Sequence, residues 1–309
     1  MTLWIAVAAL AVPVGLGVLA GATRRFVDPD HAVGVLNRYA LLFAFPALVF
    51  HSLLSSTEGL PRSPGFWLLV PAVWLSCVGL GRWLRPAVAG PLALGLGFGN
   101  VAYLGLPVVG SVLGADALSR ASVAVSVHLV LGLSVGPALL LRWGETDRVA
   151  SPAQVLRQPL FWAPFLGFAG RLLPAPALEL CAALALPLAR SAAPVALFLL
   201  GLYLHTHRAR LRRLDGADLG IVAAKVVLLP VLTLGAAWAL VDAGWLRPAD
   251  AQIFVLLAAM PAAIATFSLA RELGTGQDRM GRAVVASTIA SMATIPLFAW
   301  LARGWMTRW

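Results

Sequence analysis

Gly97-Phe98-Gly99-Asn100-Val101-Ala102-Tyr103-Leu104-Gly105-Leu106-Pro107-Val108-Val109-Gly110 and Leu257-Ala258-Ala259-Met260-Pro261-Ala262-Ala263-Ile264-Ala265-Thr266-Phe267-Ser268 are two apolar runs of the same build, each with a proline near its middle. Proline lacks an amide donor and its ring collides with the carbonyl one turn back, so a helix is expected to open just before it. The same residue suits the first turn of the helix that resumes. Halves resuming at Pro107 and Pro261 would present free N–H groups and a positive dipole end, which favour an anion. A plain kink is the other reading of either proline alone. Their matched position, developed below, argues against it.

Around these runs the chain is apolar throughout: 60% of its 309 residues are hydrophobic and only 12% are charged. A bilayer is the solvent that fits such a composition. A spanning helix needs about 20 mostly apolar residues, since its backbone must satisfy its own hydrogen bonds in hydrocarbon. Ten stretches qualify, near 2–20, 34–55, 65–84, 91–113, 119–142, 158–174, 187–206, 217–241, 251–270 and 283–303. The quoted runs are the fourth and the ninth. The first stretch ends in Ala20, Gly21 and Ala22, as a cleaved leader would. It lacks a basic start, and Arg24 and Arg25 after it read as a cytoplasmic anchor, so it is expected to remain as span 1.

A net charge of +10 on a soluble protein would suggest nucleic acid, but the placement of the charges explains it better. Joins 1, 3, 5, 7 and 9 carry fifteen arginines, the other side carries seven, and Lys225 lies inside span 8. Basic residues mark the cytoplasmic side. The expected topology is a multi-pass protein of the cell inner (plasma) membrane with both termini outside the cytoplasm, and no nucleic-acid partner. Cys77 and Cys181 stand alone, without metal or redox spacing. His205 and His207, in an arginine-rich helix end, read as solvated side chains, so neither a metal nor a cofactor is expected.

The most polar cytoplasmic stretch divides the ten spans into two sets of five, residues 1–142 and 158–309, joined by 143–157. With an odd number per half, the second half enters the membrane upside down. Inverted repeats are a common plan for secondary transporters, whose site lies where discontinuous helices meet at the midplane. Each interrupted run is fourth in its half. The fold class expected is therefore an all-α polytopic membrane protein of two inverted five-helix repeats with broken crossover helices 4 and 9.

Gly99-Asn100 with Leu104-Gly105-Leu106-Pro107 resembles the span-4 motif of the auxin efflux carrier family. Its plant members are the PIN proteins, and its bacterial members include proteins assigned as malate and malonate permeases. Further matches are Leu36-Asn37-Arg38 with Phe45-Pro46 in span 2, Ala193-Pro194 with Leu200-Gly201 in span 7, and Lys225 with Pro230 in span 8. Met260-Pro261 with Leu269-Ala270-Arg271 in span 9, and Ser287-Thr288, Ser291 and Ile295-Pro296 in span 10, complete the set. The resemblance covers nearly the whole chain, and the short central join is similar to that of bacterial members. It implies scaffold helices 1, 2, 6 and 7, mobile transport helices 3–5 and 8–10, an organic-anion substrate and a homodimer. The acidic and basic pair of span 3 in plant carriers is absent from Pro71 to Arg82, so its role does not carry over.

All thirteen carboxylates fall in joins or near helix ends. A sodium site usually wants one, and an intramembrane acid protease or acid-based antiporter needs them at depth. His128 lies near the middle of span 5, where an ionisable group is a functional candidate by default; a packed, neutral histidine is the plain alternative. His51 lies only a turn from the end of span 2. Lys225 starts about two turns inside the cytoplasmic face, and its long stem is expected to carry the ammonium back to that face. Gly17 with Gly21, Gly95 with Gly99, and Gly132 with Gly136 are spaced for close helix packing, internal or across a dimer.

These observations point to a secondary transporter moving a small organic anion, a carboxylate, by elevator-like alternating access in the lipid bilayer. The candidate substrate-binding residues are Asn100, Gly105, Pro107, His128, Pro261, Thr288 and Ser291, with no catalytic residue. A sodium- or proton-coupled symporter of the related bile-acid/sodium-proton architecture is the alternative, and a sodium requirement would favour it. A membrane enzyme would need a catalytic set at one depth, and none is present.

Overall fold

The computed structural model describes residues 3–56, 60–83, 86–143, 156–272 and 276–306. Its regular elements are all helical: α1 Leu3–Ala22, α2 Pro29–Leu54, α3 Pro64–Trp83, α4 Pro86–Gly97, α5 Leu106–Leu113, α6 Ala115–Trp143, α7 Pro159–Gly170, α8 Ala175–His207, α9 Gly216–Asp242, α10 Pro248–Ala258, α11 Ile264–Glu272 and α12 Gln277–Met306. Among the described residues four stretches are long and apolar enough to cross a membrane by length and composition, namely Pro29–Leu54, Ala175–Arg213, Gly216–Asp242 and Gln277–Ala302. Large apolar side chains stand exposed along the helices, among them Leu16, Leu19, Leu75, Leu184, Val231 and Trp300. In water such surface would be a liability; against lipid it is the required finish.

Two boundaries depart most from the sequence expectation. Helix α8 begins at Ala175, twelve residues before the expected start of span 7, because Pro187 and Pro194 lie inside it and do not end it. Transmembrane helices accommodate such prolines where neighbours re-satisfy the freed carbonyls. The fourth span opens at Phe98–Asn100 and not immediately before Pro107. Most of the central join, 144–155, lies outside the described residues.

A local device explains the displaced opening. Five-residue π turns occupy Ala40–Ala44, Val101–Gly105 and Ala224–Leu228, and each ends two residues before a proline: Pro46, Pro107 and Pro230. In a regular helix these prolines would collide with the carbonyls of Leu42, Tyr103 and Val226, all inside the π turns. The wider turn removes the conflict by bonding one residue further back: Phe45 N–H reaches Ala40 and Leu229 N–H reaches Ala224.

The contacts divide the chain into two compact units. The first comprises 1–60, 102–126 and 156–208. There α1 and α8 touch backbone to backbone: a Cβ on Gly17 would lie 2.0 Å from the Phe198 carbonyl oxygen, and one on Gly201 would lie 2.0 Å from that of Val14. Gly21 faces the His205 ring. The small residues of α1 therefore serve internal packing. Tyr39 and Ser191 hydroxyls pair at 2.7 Å, Ser52 and Ser122 at 3.0 Å. Gly114, at φ +96°, turns the chain from α5 directly into α6, in a conformation that suits only glycine.

The second unit comprises 61–101, 127–155 and 209–309. Its α9 starts in a capping box between Asp215 and Asp218. Asp218 is fully buried and accepts from Arg279 (3.2 Å) and Arg282 (2.5 Å) at the start of α12, so the two helix ends are clamped together. The Asp218 backbone N–H, and then Arg279, hold the Asp215 carboxyl below the ordinary carboxylate range.

Candidate functional site

The second unit contains a crossing of two broken helices. Helix α4 ends at Gly97, and α10 ends at Ala258. Each end leaves backbone groups without helical partners. The unwound segments satisfy one another as a short antiparallel contact: Asn100 N–H donates to the Pro261 carbonyl (2.7 Å), Ala263 N–H donates to the Phe98 carbonyl (2.9 Å), and Gly99 faces Ala262. The Ser287 hydroxyl of α12 accepts the Ala262 N–H at 3.1 Å. Pro261 thus lies inside its break with its carbonyl engaged.

Around this crossing the side chains are closely set. The Phe98, Trp74 and His128 rings form a triangle, with Phe98 6.3 Å from Trp74 and 5.9 Å from His128, and Trp74 and His128 5.7 Å apart. Glycines make room: a Cβ on Gly97 would meet the Trp74 ring at 2.8 Å, and one on Gly132 would meet the Phe98 ring at 1.8 Å. Three side chains here carry buried polar atoms with no partner. They are Nδ2 and Oδ1 of Asn100, Nε2 of His128 and the indole Nε1 of Trp74. Asn100 itself is 1% exposed. Buried polar groups are normally paired, so a cluster of orphans marks either a ligand or water site.

The sequence-derived candidates are distributed as follows. Asn100, His128, Pro261, Thr288 and Ser291 belong to the second unit, whereas Gly105 and Pro107 belong to the first. There Gly105 closes the π turn and Pro107 sits buried in the first turn of α5. Thr288 and Ser291 are buried and donate their hydroxyls to their own helix, at the Val284 and Thr288 carbonyls (both 2.7 Å). Outside this set, the His51 ring pairs with the Ala182 carbonyl at 3.2 Å, a packing role.

Lys225 corrects the sequence reading outright. It does not return to the membrane face: it is 2% exposed, and its Nζ donates to the Leu96 carbonyl at 2.9 Å. The helix ending at Gly97 leaves its last carbonyls free, and a cation at a helix C-terminus is attracted to them. Ser287 and Trp74 are further residues of the crossing that sequence reading left out. Nothing in the apolar pattern singles out Trp74, while Ser287 stood beside the chosen Thr288. An apolar cleft of about 400 Å³ is lined by Ser76, Cys77, Leu96, Leu228 and Leu232 among others, and it carries none of the candidates.

Comparison with known proteins decides the broad class. A family described as membrane transport protein, the auxin efflux carrier-like family, matches residues 2–299. The chain belongs to this family. A Rhizobium meliloti (strain 1021) protein named "Putative malonate transporter" is 30% identical over 314 residues, covering 94% of this chain and 93% of that protein. A protein of Methanothermobacter thermautotrophicus named "Uncharacterized transporter" is 26% identical over 279 residues, covering 87% of this chain and 89% of its own. As a member of a membrane transport family the chain is a membrane-embedded transporter and not an enzyme.

Proposed function

We propose that this transporter moves a small organic anion, a carboxylate, by elevator-like alternating access, with the crossing of the two broken spans as its binding site. The observation that carries the reading is Asn100: a fully buried amide beside an unwound backbone, with donor and acceptor both unused. An amide N–H is a fitting donor to a carboxylate oxygen. The name of the Rhizobium relative makes malonate the first substrate to test. The proposed architecture is ten spans in two inverted repeats, with spans 1, 2, 6 and 7 as scaffold and 3–5 and 8–10 as the transport part. The division into compact units supports this in part: α1, α2, α7 and α8 fall in the first unit and α3, α4, α9, α10, α11 and α12 in the second, while α5 and the start of α6 group with the first.

The test is uptake by purified protein in liposomes, screening small carboxylates with and without sodium or a pH gradient. Uptake of a monocarboxylate or dicarboxylate without sodium is the expected result. A strict sodium requirement would favour the coupled symporter, and no carboxylate uptake under any condition would end the anion reading. Pro261→Ala is expected to impair uptake far more than folding, because alanine restores the missing donor and lets helix grow into the break. Pro107→Ala is expected to do the same to a lesser degree, since the π turn before it already absorbs its strain. Parent rates and affinities in both would reduce the prolines to ordinary kinks. For topology, a reporter fused after Trp309 is expected to be active only outside the cytoplasm; activity inside would break the ten-span count.

A further inference from the structure

We propose that Lys225 is the resident counter-charge of the anion site, a positive charge built into the second unit that the bound carboxylate neutralises. The proposal rests on the anion-carrier reading above and adds to it the residue that supplies the charge. Lys225 enters the π turn Ala224–Leu228 of α9, and its ammonium lies against the crossing itself: a Cβ on Gly99 would be 3.0 Å from Nζ. Gly99 precedes Asn100 and faces Ala262 across the antiparallel contact. A side chain at position 99 would occupy the place of the ammonium.

Three observations separate this lysine from a structural one. Its surroundings are closed, at 2% exposure, so water does not solvate the charge. The hydrogen bond to Leu96 uses one of the three N–H groups of the ammonium. Among the described residues no carboxylate pairs with it; the titratable side chains close enough to feel its charge are Cys77 and His128. An uncompensated cation in a low-dielectric interior is costly to the fold and attracts an anion strongly across several ångströms. Asn100 gives the carboxylate a hydrogen bond, and Lys225 makes the loaded site neutral for a monoanion. A dicarboxylate would keep one charge in excess.

The experiment compares the parent, Lys225→Met and Lys225→Arg as purified, monodisperse full-length protein, by thermal melting with malonate and with its neutral diamide as probes. Methionine keeps the volume and the apolar stem and deletes the charge. In the absence of any anion Lys225→Met is expected to melt at or above the parent, because an unpaired buried charge has been removed. Malonate is expected to raise the melting temperature of the parent and of Lys225→Arg, and to bind Lys225→Met roughly tenfold or more weakly, on the scale of one lost charge interaction. The diamide is expected to act on all three alike. A Lys225→Met protein that melts well below the parent without ligand would assign the lysine to structure and overturn the proposal. Malonate binding that survives unchanged in Lys225→Met would overturn the counter-charge while leaving the carrier reading intact, and a parent that no carboxylate stabilises would overturn both.

Discussion

Gly132→Ala is expected to cut carboxylate uptake by roughly tenfold or more, the equivalent of about 1.4 kcal/mol lost at the site. The added Cβ would stand 1.8 Å from Cε2 and 2.2 Å from Cδ2 of Phe98. That ring is 4% exposed and already held by Trp74 and His128, so it has no free direction in which to yield. Overpacking of this kind costs about 1–3 kcal/mol and is relieved by shifting backbone. The backbone at hand is the unwound segment itself, where the Phe98 carbonyl accepts from Ala263. Moving it disturbs the pairing on which the position of Asn100 depends. A smaller ring substitute should compensate: adding Phe98→Leu to Gly132→Ala is expected to recover a measurable part of the lost uptake. Parent-like uptake and melting in Gly132→Ala, or no recovery in the double variant, would show that the ring contact does not govern the crossing.

Asn100→Leu is expected to move stability and affinity in opposite directions. Leucine has nearly the shape of asparagine and no polar atoms. A buried amide left without partners costs the folded state about 1–3 kcal/mol, so removing it should raise the melting temperature of the ligand-free protein. The same change takes away a donor to the carboxylate, and affinity is expected to fall roughly tenfold or more. Melting curves and malonate titrations on one preparation give both signs. If stability drops with affinity, Asn100 is holding the fold together through a bond that water completes, and its assignment to substrate is lost.

Much of the helical layout was legible because an apolar run in a membrane chain has few alternatives. Each of the ten expected stretches is occupied by helix, and the two runs that carry Pro107 and Pro261 are the two that unwind. What could not be read was direction. Lys225 was placed inside span 8, yet the stem of a lysine reaches either way, and only the free carbonyl of Leu96 explains which way it turns. Gly132 was paired with Gly136 along one helix, whereas its partner is an aromatic ring from the broken span. Spacing within a helix tells which residues share a face, not what lies opposite. The opening of the fourth span was expected just before Pro107 and lies at Phe98–Asn100, because the π turn Val101–Gly105 accommodates the proline and leaves the unwinding to the glycines upstream. Span 7 was expected to start near residue 187, yet its helix runs through Pro187 from Ala175: a proline states where a donor is missing, not whether neighbours make good the loss.

The three π turns also reset the angular phase of the helices that contain them. Each inserts about one residue beyond the regular winding, which rotates everything downstream by roughly 100° about the helix axis. A helical wheel drawn straight through Ala224–Leu228 would therefore misassign the azimuth of either Lys225 and the residues before it or Leu232 and the residues after it. The slip gives one continuous helix two independently aimed surfaces. In α9 it lets the first part point a cation at the crossing while Val231 and Leu232 face outward, an arrangement that an unbroken 3.6-residue repeat would offer only with different residues at those positions.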